Sequence, residues 1–353
     1  MLIVNYTDID SILRDFGIFS KTKCTSELQR YDYERNNYDS KEEVRLIVKV
    51  ELESGLPLVI RFKNEADVNI KIVESQSRFA DMMRRSGIIT PYQYQSSGAF
   101  AKWYQINGYD VIVTVEQFAE KEIKAVDAGI AEQTGKLLAK MHCVSEENDL
   151  HICSSVLFDP FSANDLFDFE SFKSLETALG DNERVLFDRI VQKYNAYMEV
   201  LAPLKRQPRY AVQGDISNCN LYQTGTGEIG IFDFNRCGDN NLFCDAVMQA
   251  IFDARLMDYP NGSGNDIEAA VLTSFLKGYC SIRNFSEEQQ NWYPYLYAIT
   301  NAFWSSDIKW SDDSLTNAVK NRDGERTQRW LETIWQRLSG YHHKVPGRWQ
   351  NDA

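Results

Sequence analysis

The sequence predicts an α+β protein with two lobes, a small N-terminal lobe built on an antiparallel sheet and a mostly helical C-terminal lobe. Three observations support this prediction. Apolar runs typical of strands occur before residue 117, apolar residues at helical spacing dominate after it, and 353 residues are enough to bury two cores. We therefore expect an N-lobe over residues 1–116 and a C-lobe over residues 117–353.

Turn signals separate the predicted elements of the N-lobe. Gly17 marks the end of a first helix, Ser54-Gly55 precedes a strand, and Asn107-Gly108 is the dipeptide of a tight hairpin. The predicted elements are a helix that begins at Asp8 and ends at Gly17, strands within 27–62, a helix over 66–86 and strands over 98–104 and 109–115. Residues 116–119 follow the last strand and become the linker between the lobes.

Helical spacing of apolar residues recurs through most of the C-lobe. The predicted helices cover residues 130–142, 180–201, 246–256, 267–279, 290–304 and 325–339. The first of them ends at His142, which we interpret as a packed residue at a helix end and not as a catalytic group.

Composition excludes several classes of function. The net charge of −13 disfavours nucleic-acid binding, which needs a basic face; it is compatible with a cationic substrate and equally with solubility alone.

No apolar run has membrane-spanning length, and the first ten residues contain acids where a signal peptide has bases. The seven cysteines are scattered without paired spacing and predict free thiols in a reducing compartment, so we expect a cytoplasmic protein. The four histidines lack metal-ligand spacing with cysteine, which argues against a zinc site.

The most informative segment begins at Gln213. Asp215 is followed five residues later by Asn220, and Asp233 comes after a turn at 224–227 and an apolar run. This pattern predicts a strand, a loop and a hairpin, with the three polar residues near strand ends where they can converge. Phosphoryl transfer to a hydroxyl requires these groups: an Asp that receives the hydroxyl proton, and an Asn and an Asp that hold Mg²⁺.

The segment resembles the aminoglycoside phosphotransferase and choline kinase family, small-molecule kinases with a protein-kinase-like fold. The family pattern is H-G-D-x-x-x-x-N, then I-D-F or I-D-W, then G-D-x-x-x-D. The corresponding residues are Gln213-Gly214-Asp215 to Asn220, Ile231-Phe232-Asp233-Phe234, and Gly238-Asp239 with Asp245. This chain departs from the pattern in three ways, since Gln213 replaces His, Phe232 precedes Asp233, and the last stretch is longer. Because the family's His usually supports the loop, we interpret Gln213 as a loop brace.

The resemblance implies a two-lobed protein-kinase-like fold and a Mg²⁺-dependent transfer of the γ-phosphate of ATP or GTP to a hydroxyl of a small molecule. Asp215 is then the catalytic base, and Asn220 and Asp233 are the Mg²⁺ ligands. The purine would lie beside the linker, with Glu116 and Phe118 among the nucleotide-binding residues. The sequence does not distinguish ATP from GTP.

A cation on the third strand of this fold holds the nucleotide phosphates, and the resemblance places Arg61 there. Lys63 shares the face of Arg61 by strand alternation and can reach the same phosphates. A helix acid should orient Arg61. Counting back from Gly87 points to Gln76, whereas Glu74 is the nearest acid, and two residues differ by about 200° of helix rotation. We choose Glu74.

The loop that would cover the phosphates is not glycine-rich. No glycine occurs between Phe19 and Gly55, so the turn at Asn36–Ser40 is predicted to take this place. Asn and Ser side chains can donate hydrogen bonds to phosphate oxygens.

The acceptor is expected to be a small hydroxylated molecule of a cationic or sugar-like kind, held by the helices after Asp233. That region is rich in aromatic and acidic residues: Trp292, Tyr293, Tyr295, Tyr297, Phe303, Trp304 and Trp310, and Asp253, Asp258, Asp307, Asp312 and Asp313. Such groups suit a sugar, an aminosugar or a quaternary amine, although core packing explains them as well. Two alternatives stay open: a kinase-fold protein that binds a ligand or partner without catalysis, and transfer of a nucleotidyl group, which no residue specifically supports.

Overall fold

The computed structural model describes residues 1–33, 43–65, 68–119, 121–162, 164, 166–256 and 265–340. The predicted turn at Asn36–Ser40 and Asp258 lie outside the described residues.

Contacts divide the chain into two compact units. The first unit contains Met1–Glu122, Ile152–Ser154 and Asn220–Asn235. The second unit contains Ile123–His151, Ser155–Cys219 and the chain from Arg236 onward.

An antiparallel sheet organises the first unit. Its strands are β1 (Thr22–Tyr33), β2 (Glu43–Leu52), β3 (Leu58–Asn64), β4 (Ala101–Ile106) and β5 (Tyr109–Gln117), in the order β1-β2-β3-β5-β4. The predicted hairpin is confirmed: Asn107 and Gly108 join β4 to β5 with φ of 51° and 84°, left-handed values that these two residues tolerate. Strand β5 runs through Gln117, so the predicted linker begins two residues too early.

Two helices of the first unit lie on opposite faces of this sheet: α1 (Tyr6–Asp15) and α2 (Ile70–Arg85). Helix α1 begins at a capping box, in which the side chains of Asn5 and Asp8 accept each other's backbone N–H. Its apolar side chains form one core with every second residue of β2, starting at Val44. The intervening residues of β2 and β3, including Arg45 and Arg61, therefore face away from α1. Helix α2 packs on that other face through Val73.

A short hairpin completes the first unit. Its strands are β7 (Leu221–Gln223) and β8 (Ile229–Ile231), as the sequence predicts. The N–H of Ile231 donates to the carbonyl of Ile89 at 2.9 Å, and Glu122 pairs with Tyr222. These bonds attach the hairpin, which carries Asn220 and Asp233 at its ends, to the unit that holds Arg61.

The second unit is mostly helical. Its helices are α3 (Ala128–Glu147), α4 (Phe169–Ser174), α5 (Asp181–Leu201), α6 (Leu242–Leu256), α7 (Asn265–Cys280), α8 (Glu287–Ala302), α9 (Leu315–Lys320) and α10 (Gly324–Ser339). A two-stranded ladder joins β6 (Tyr210–Val212) to β9 (Gly238–Asn240). All six predicted helices are confirmed, whereas α4, α9 and β9 are too short to give a periodic signal.

Helices α3 and α7 approach closely at two glycines. A Cβ added to Gly135 would lie 2.0 Å from the carbonyl oxygen of Phe275, and one added to Gly278 would lie 2.0 Å from that of Glu132. Only residues without a side chain let the two backbones touch in this way.

Other sequence predictions can be compared with the structure. His142 is fully buried, and its ring nitrogens bond to the Tyr279 hydroxyl at 2.9 Å and to Asp245 Oδ2 at 3.0 Å, which confirms it as a packed residue. The predicted helix end is wrong, because α3 continues to Glu147. None of the seven cysteines, all of which lie in the described part of the chain, forms a disulfide. None of the described helices is both long enough and apolar enough to cross a membrane.

Candidate functional site

Arg61 is the centre of a charged cluster in the first unit. It is 7% exposed, on β3. Its Nε and Nη2 lie 3.0 and 2.9 Å from Glu116 Oε1 on β5, and its Nη1 lies 3.3 Å from Asp233 Oδ2 after β8. The second oxygen of Glu116 accepts from Gln93 Nε2 at 2.7 Å. One guanidinium thus connects the sheet to the predicted metal ligand.

The charged side chains of the cluster shift one another's pKa values toward the ionised forms. Burial disfavours the charge of Arg61, but Asp233 and Glu116 outweigh it and raise its pKa. Burial also opposes ionisation of Asp233, yet Arg61 and Lys63 hold the pKa of that carboxyl below its usual range. Asp233 is therefore a carboxylate near neutral pH, the form that a hard cation requires.

Lys63 is the second cation of this face, as strand alternation predicts. Burial, with the charge of Arg61, lowers its pKa to about 8. Its ammonium donates to Asn235 Oδ1, and the backbone carbonyl of Asn235 accepts from Gln76 Nε2 at 2.8 Å. A cavity of about 20 Å³ between these side chains and Arg61 has room for about one water molecule.

Asn220 and Asp233 are held together by the hairpin. The N–H of Phe232, next to Asp233, donates to the Asn220 carbonyl at 2.9 Å. Asp233 has φ of 58°, an uncommon value for a residue with a side chain, and its Oδ1 accepts from the Asn235 N–H at 3.2 Å. Local hydrogen bonding to the next residues compensates this conformation.

The donor set suits Mg²⁺ that arrives with a nucleotide. Such Mg²⁺ takes one or two protein carboxylates and completes its shell with phosphate oxygens and water. Asp233 offers a carboxylate and the buried Asn220 an amide oxygen. Within the described part of the chain, no group of three or more His, Cys, Asp or Glu side chains could hold a metal by itself.

The Asp215 loop belongs to the second unit. Gln213 is 1% exposed, and its Oε1 accepts from the Asp215 N–H at 2.8 Å, which confirms that it braces the loop. Gly214 has φ of +81°, and a Cβ there would lie 2.3 Å from the carbonyl oxygen of Arg236. The N–H of Ile216 donates to Gln249 Oε1 on α6 at 3.1 Å. Both sides of Asp215 are therefore fixed, while its convergence with the residues of the first unit stays a prediction.

The segment predicted to hold the purine has two of its N–H groups already bonded. Gln117 donates to the Tyr92 carbonyl at 2.9 Å and Phe118 to the Pro57 carbonyl at 2.9 Å. The ring of Phe118 lies under Lys49, whose Nζ is 4.6 Å from the ring centroid. A purine at this place would therefore rely on the aromatic face and on groups other than these two amides.

The predicted pair of Arg61 and Glu74 is not formed. Glu74 Oε2 accepts from the N–H groups of Phe100 and Ala101 at 2.7 and 2.8 Å, and Oε1 lies 2.7 Å from Arg78. Glu74 therefore joins α2 to the start of β4. Gln76, the alternative reached by counting back from Gly87, lies on the wall of the cavity beside Arg61, and the acid comes from Glu116 instead.

Most of the aromatic residues expected to hold the acceptor belong to the core. Tyr293, Tyr297, Phe303 and Trp304 are buried. Asp307 lies 3.0 Å from Arg255 and 2.6 Å from Arg337. Asp253 is fully buried, neither of its carboxylate oxygens has a hydrogen-bond partner among the described residues, and burial raises its pKa to about 8. Packing is therefore the better explanation for this region.

Sequence reasoning missed three polar residues of these sites. Gln93 and Asn235 complete the cluster around Arg61, and Gln249 fixes the Asp215 loop. Each of the three is distant in sequence from the residue that it bonds to, and a single uncharged side chain gives no sequence pattern. Only the position of Asn235, two residues after Asp233, could have indicated its role.

Comparisons with known proteins agree with the fold. No family model matches the chain, and no curated protein does. Among solved structures, a microcompartment-associated aminopropanol kinase aligns with a TM-score of 0.55 at 15% identity, over 90% of this chain and 95% of that one. Amicoumacin kinase in complex with AMP-PNP and Ca²⁺ aligns with a TM-score of 0.52 at 15% identity, over 84% and 86%.

An aminoglycoside phosphotransferase from Alicyclobacillus acidocaldarius also aligns, with a TM-score of 0.52 at 13% identity over 89% of this chain and 93% of that one. The chain therefore has the α+β fold of small-molecule kinases, as the resemblance implied. Identities of 13 and 15% show the fold alone.

Proposed function

We propose that the protein is a Mg²⁺-dependent phosphotransferase that moves the γ-phosphate of ATP or GTP to a hydroxyl of a small molecule. The observation that carries the proposal is the cluster in which Arg61 connects Glu116 to the ionised Asp233. A buried guanidinium beside a carboxylate on a hairpin end suits a nucleotide phosphate on one side and a hard cation on the other. The aligned kinase folds support the same reaction class.

In the proposed reaction, the acceptor oxygen attacks the γ-phosphorus, the bond from that phosphorus to the bridging oxygen breaks, and the nucleoside diphosphate leaves. Asp215 accepts the hydroxyl proton. Arg61, together with protonated Lys63, holds phosphate oxygens, and Glu116 keeps the guanidinium in place. Asn220 and Asp233 would hold Mg²⁺, which neutralises phosphate charge when bound. Seven cysteines without a disulfide among the described residues support residence in a reducing compartment such as the cytoplasm.

The test uses three variants and two measurements. Asp215→Asn should reduce nucleoside diphosphate release with an accepted hydroxyl compound by about 10²–10⁴-fold while leaving nucleotide binding unchanged. Asp233→Asn should remove the Mg²⁺-dependent rise in melting temperature that a nucleotide produces, which corresponds to about 2.7 kcal/mol at a hundredfold excess over Kd. Asp188→Asn, an exposed aspartate of the second unit, is the control and should change neither.

The outcomes separate the alternatives. Wild-type turnover in Asp215→Asn would remove Asp215 from the mechanism. A Mg²⁺-dependent nucleotide shift without phosphate transfer to any hydroxyl compound would favour a kinase-fold binding protein. The absence of a shift with both ATP and GTP at millimolar concentration, for folded protein with Mg²⁺ present, would refute the proposed function.

A further inference from the structure

The second unit contains a cavity of about 570 Å³ that the sequence does not predict. Its wall is formed by the segment after residue 155, the start of α4, one side of α5, and the side chains of Arg236 and Lys309. The volume lies within the range of sites for small molecules. It belongs to the unit that carries Asp215, and the aromatic residues of α8 do not line it.

Arg236 links this cavity to the Asp215 loop. Its carbonyl oxygen lies against Gly214, where a Cβ would come within 2.3 Å, so its backbone touches the residue before Asp215. Its side chain is exposed and lines the cavity. Within the described residues, the structure gives its guanidinium no hydrogen bond, ion pair or aromatic contact. A guanidinium on a residue whose backbone touches the Asp215 loop is therefore available to a ligand.

The other charges of the cavity do not cancel Arg236. Asp168 is already neutralised: its Oδ2 lies 2.5 Å from Lys309 Nζ and 2.6 Å from the Ser171 hydroxyl. Burial opposes its ionisation, but the bonds from Lys309 and Ser171 hold its pKa below the usual value. Lys205 lies over the ring of Phe161, with Nζ 5.2 Å from the centroid.

Glu170 is the remaining acid of the wall, and it is exposed. After the pair of Asp168 and Lys309 is set aside, two cations face one acid. The chain as a whole carries a net charge of −13, so this local surplus of positive charge runs against its composition.

An aromatic wall adds a neutral donor. The ring of Tyr194 stacks on Phe169 with centroids 3.5 Å apart and an angle of 12°, which fixes its orientation. Burial, with the charge of Glu170, raises the pKa of the Tyr194 hydroxyl to about 12, so it stays protonated near neutral pH. The cavity therefore offers a flat apolar face, a hydroxyl donor and two cationic donors to one ligand.

We infer that this cavity binds the phosphate acceptor, and that the acceptor is a hydroxylated compound with an acidic group, either a carboxylate or a phosphate. Arg236 and Lys205 would bind the acidic group, because a guanidinium matches the two oxygens of a carboxylate or phosphate. The aromatic face would carry the carbon skeleton, with a hydroxyl directed toward the Asp215 loop. This inference rests on the proposed function and replaces a cationic acceptor with an anionic one.

The experiment compares ligands that differ mainly in charge. The panel consists of hydroxy acids and sugar phosphates, each matched with a neutral and an amino counterpart. Its first members are the acids gluconate and glucose 6-phosphate, matched with the neutral glucose and the amine glucosamine. Binding is measured as dissociation constants by calorimetry and as shifts in melting temperature, without nucleotide. Phosphate transfer is measured as nucleoside diphosphate release. The carboxylates and phosphates of the panel distinguish the two kinds of acidic group.

The variants are Arg236→Gln and, as control, Arg206→Gln, which removes an exposed arginine of the same unit that does not line the cavity. Acids of the panel should bind more tightly than their neutral and amino counterparts. Arg236→Gln should weaken their binding by about 10- to 100-fold, the range for a charged hydrogen bond, and Arg206→Gln by less than twofold.

Three results would overturn the inference: tighter binding of neutral or amino compounds, equal binding by the two variants, or no binding by any acid of the panel. Each of these can occur in a protein that still binds Mg-nucleotide and transfers phosphate. Loss of the proposed function would appear instead as the absence of a Mg-nucleotide shift, which the acid-binding measurement does not use.

Discussion

Replacing Gly214 with alanine should strongly impair phosphate transfer while the first unit continues to bind nucleotide. A Cβ at this position would lie 2.3 Å from the carbonyl oxygen of Arg236 and 3.1 Å from its carbonyl carbon. Both are backbone atoms, so no side-chain rotation relieves the contact, and one of the two segments must move by about 1 Å to reach ordinary van der Waals separation. Displacement of the adjacent Asp215 by this amount should cost about 100-fold in turnover.

The backbone conformation adds a smaller cost, which a second glycine isolates. Gly214 has φ of +81° and Gly227, in the turn of the β7–β8 hairpin, has φ of +85° with no atom within 4 Å of an added Cβ. Gly227→Ala therefore has only the left-handed strain, about 1 kcal/mol, and should keep its turnover. Gly214→Ala has both the left-handed strain and the contact with the Arg236 carbonyl. Its free energy of unfolding should therefore fall by about 1–3 kcal/mol more than that of Gly227→Ala.

The assay is steady-state nucleoside diphosphate release with an accepted hydroxyl compound, beside denaturant unfolding of both variants. In the proposed function, the melting-temperature shift with Mg-nucleotide depends on Arg61, Asn220 and Asp233 of the first unit, so it should report whether that unit stays folded. Turnover of Gly214→Ala within threefold of Gly227→Ala would refute the reasoning, because the contact with Arg236 would then not position the loop.

Three further predictions concern charge and packing. Lys63 has a pKa of about 8, and bound phosphates should raise that pKa, so nucleotide binding at pH 8 should be accompanied by proton uptake. Calorimetry in buffers of different ionisation enthalpy measures this uptake. The variant Lys63→Met should abolish it, and equal uptake in that variant would contradict the assignment to Lys63. The folded-state pKa of Asp253, about 8, lies above its unfolded value of roughly 3.9, so the protonated carboxyl stabilises the fold fully below pH 4, and this stability is lost as pH rises through 8. Asp253→Asn should therefore be more stable than wild type at pH 8 by about 2 kcal/mol or more and show a flatter pH dependence in urea unfolding between pH 5 and 8; parallel curves would show that Asp253 has an ordinary pKa. Gly135→Ala should destabilise the protein by about 1–3 kcal/mol, because its Cβ would lie 2.0 Å from the Phe275 carbonyl oxygen. The control is Gly129→Ala, whose Cβ meets only the Asp127 side chain at 3.2 Å. Equal unfolding free energies of the two variants would mean that α3 and α7 separate without cost.

Local chemistry explains which parts of the fold could be predicted. The hairpin at Asn107-Gly108 needs two left-handed residues in sequence, and few dipeptides other than this one provide them. The long helices carry enough turns for their period to be counted. Strand β9 (Gly238–Asn240) has three residues and pairs with β6 from a distant part of the chain, so no local pattern marks it.

The Asp215 loop was predictable for a similar reason. Gln213 and Asp215 are two residues apart, and a side chain that accepts from a backbone N–H two residues on is a local interaction that sequence reasoning can reach. The bond from Ile216 to Gln249 spans 33 residues and could not be inferred, because nothing in α6 distinguishes that glutamine from a solvent-facing one.

The acid that orients Arg61 shows where sequence reasoning fails. The spacing from Gly87 identified the helix position that faces Arg61, and Gln76 lies there, but the requirement for an acid led to Glu74, which points to β4. The charge instead comes from Glu116, which pairs with Val59 in the register of β3 and β5 and so lies on the same face as Arg61. An ion pair within one sheet is fixed by strand register and does not depend on where helix α2 lies. In this chain, the orientation of Arg61, the predicted phosphate-binding cation, is therefore built into the sheet, and a shift of α2 would move Gln76 and its bond to Asn235 without breaking the bond between Arg61 and Glu116.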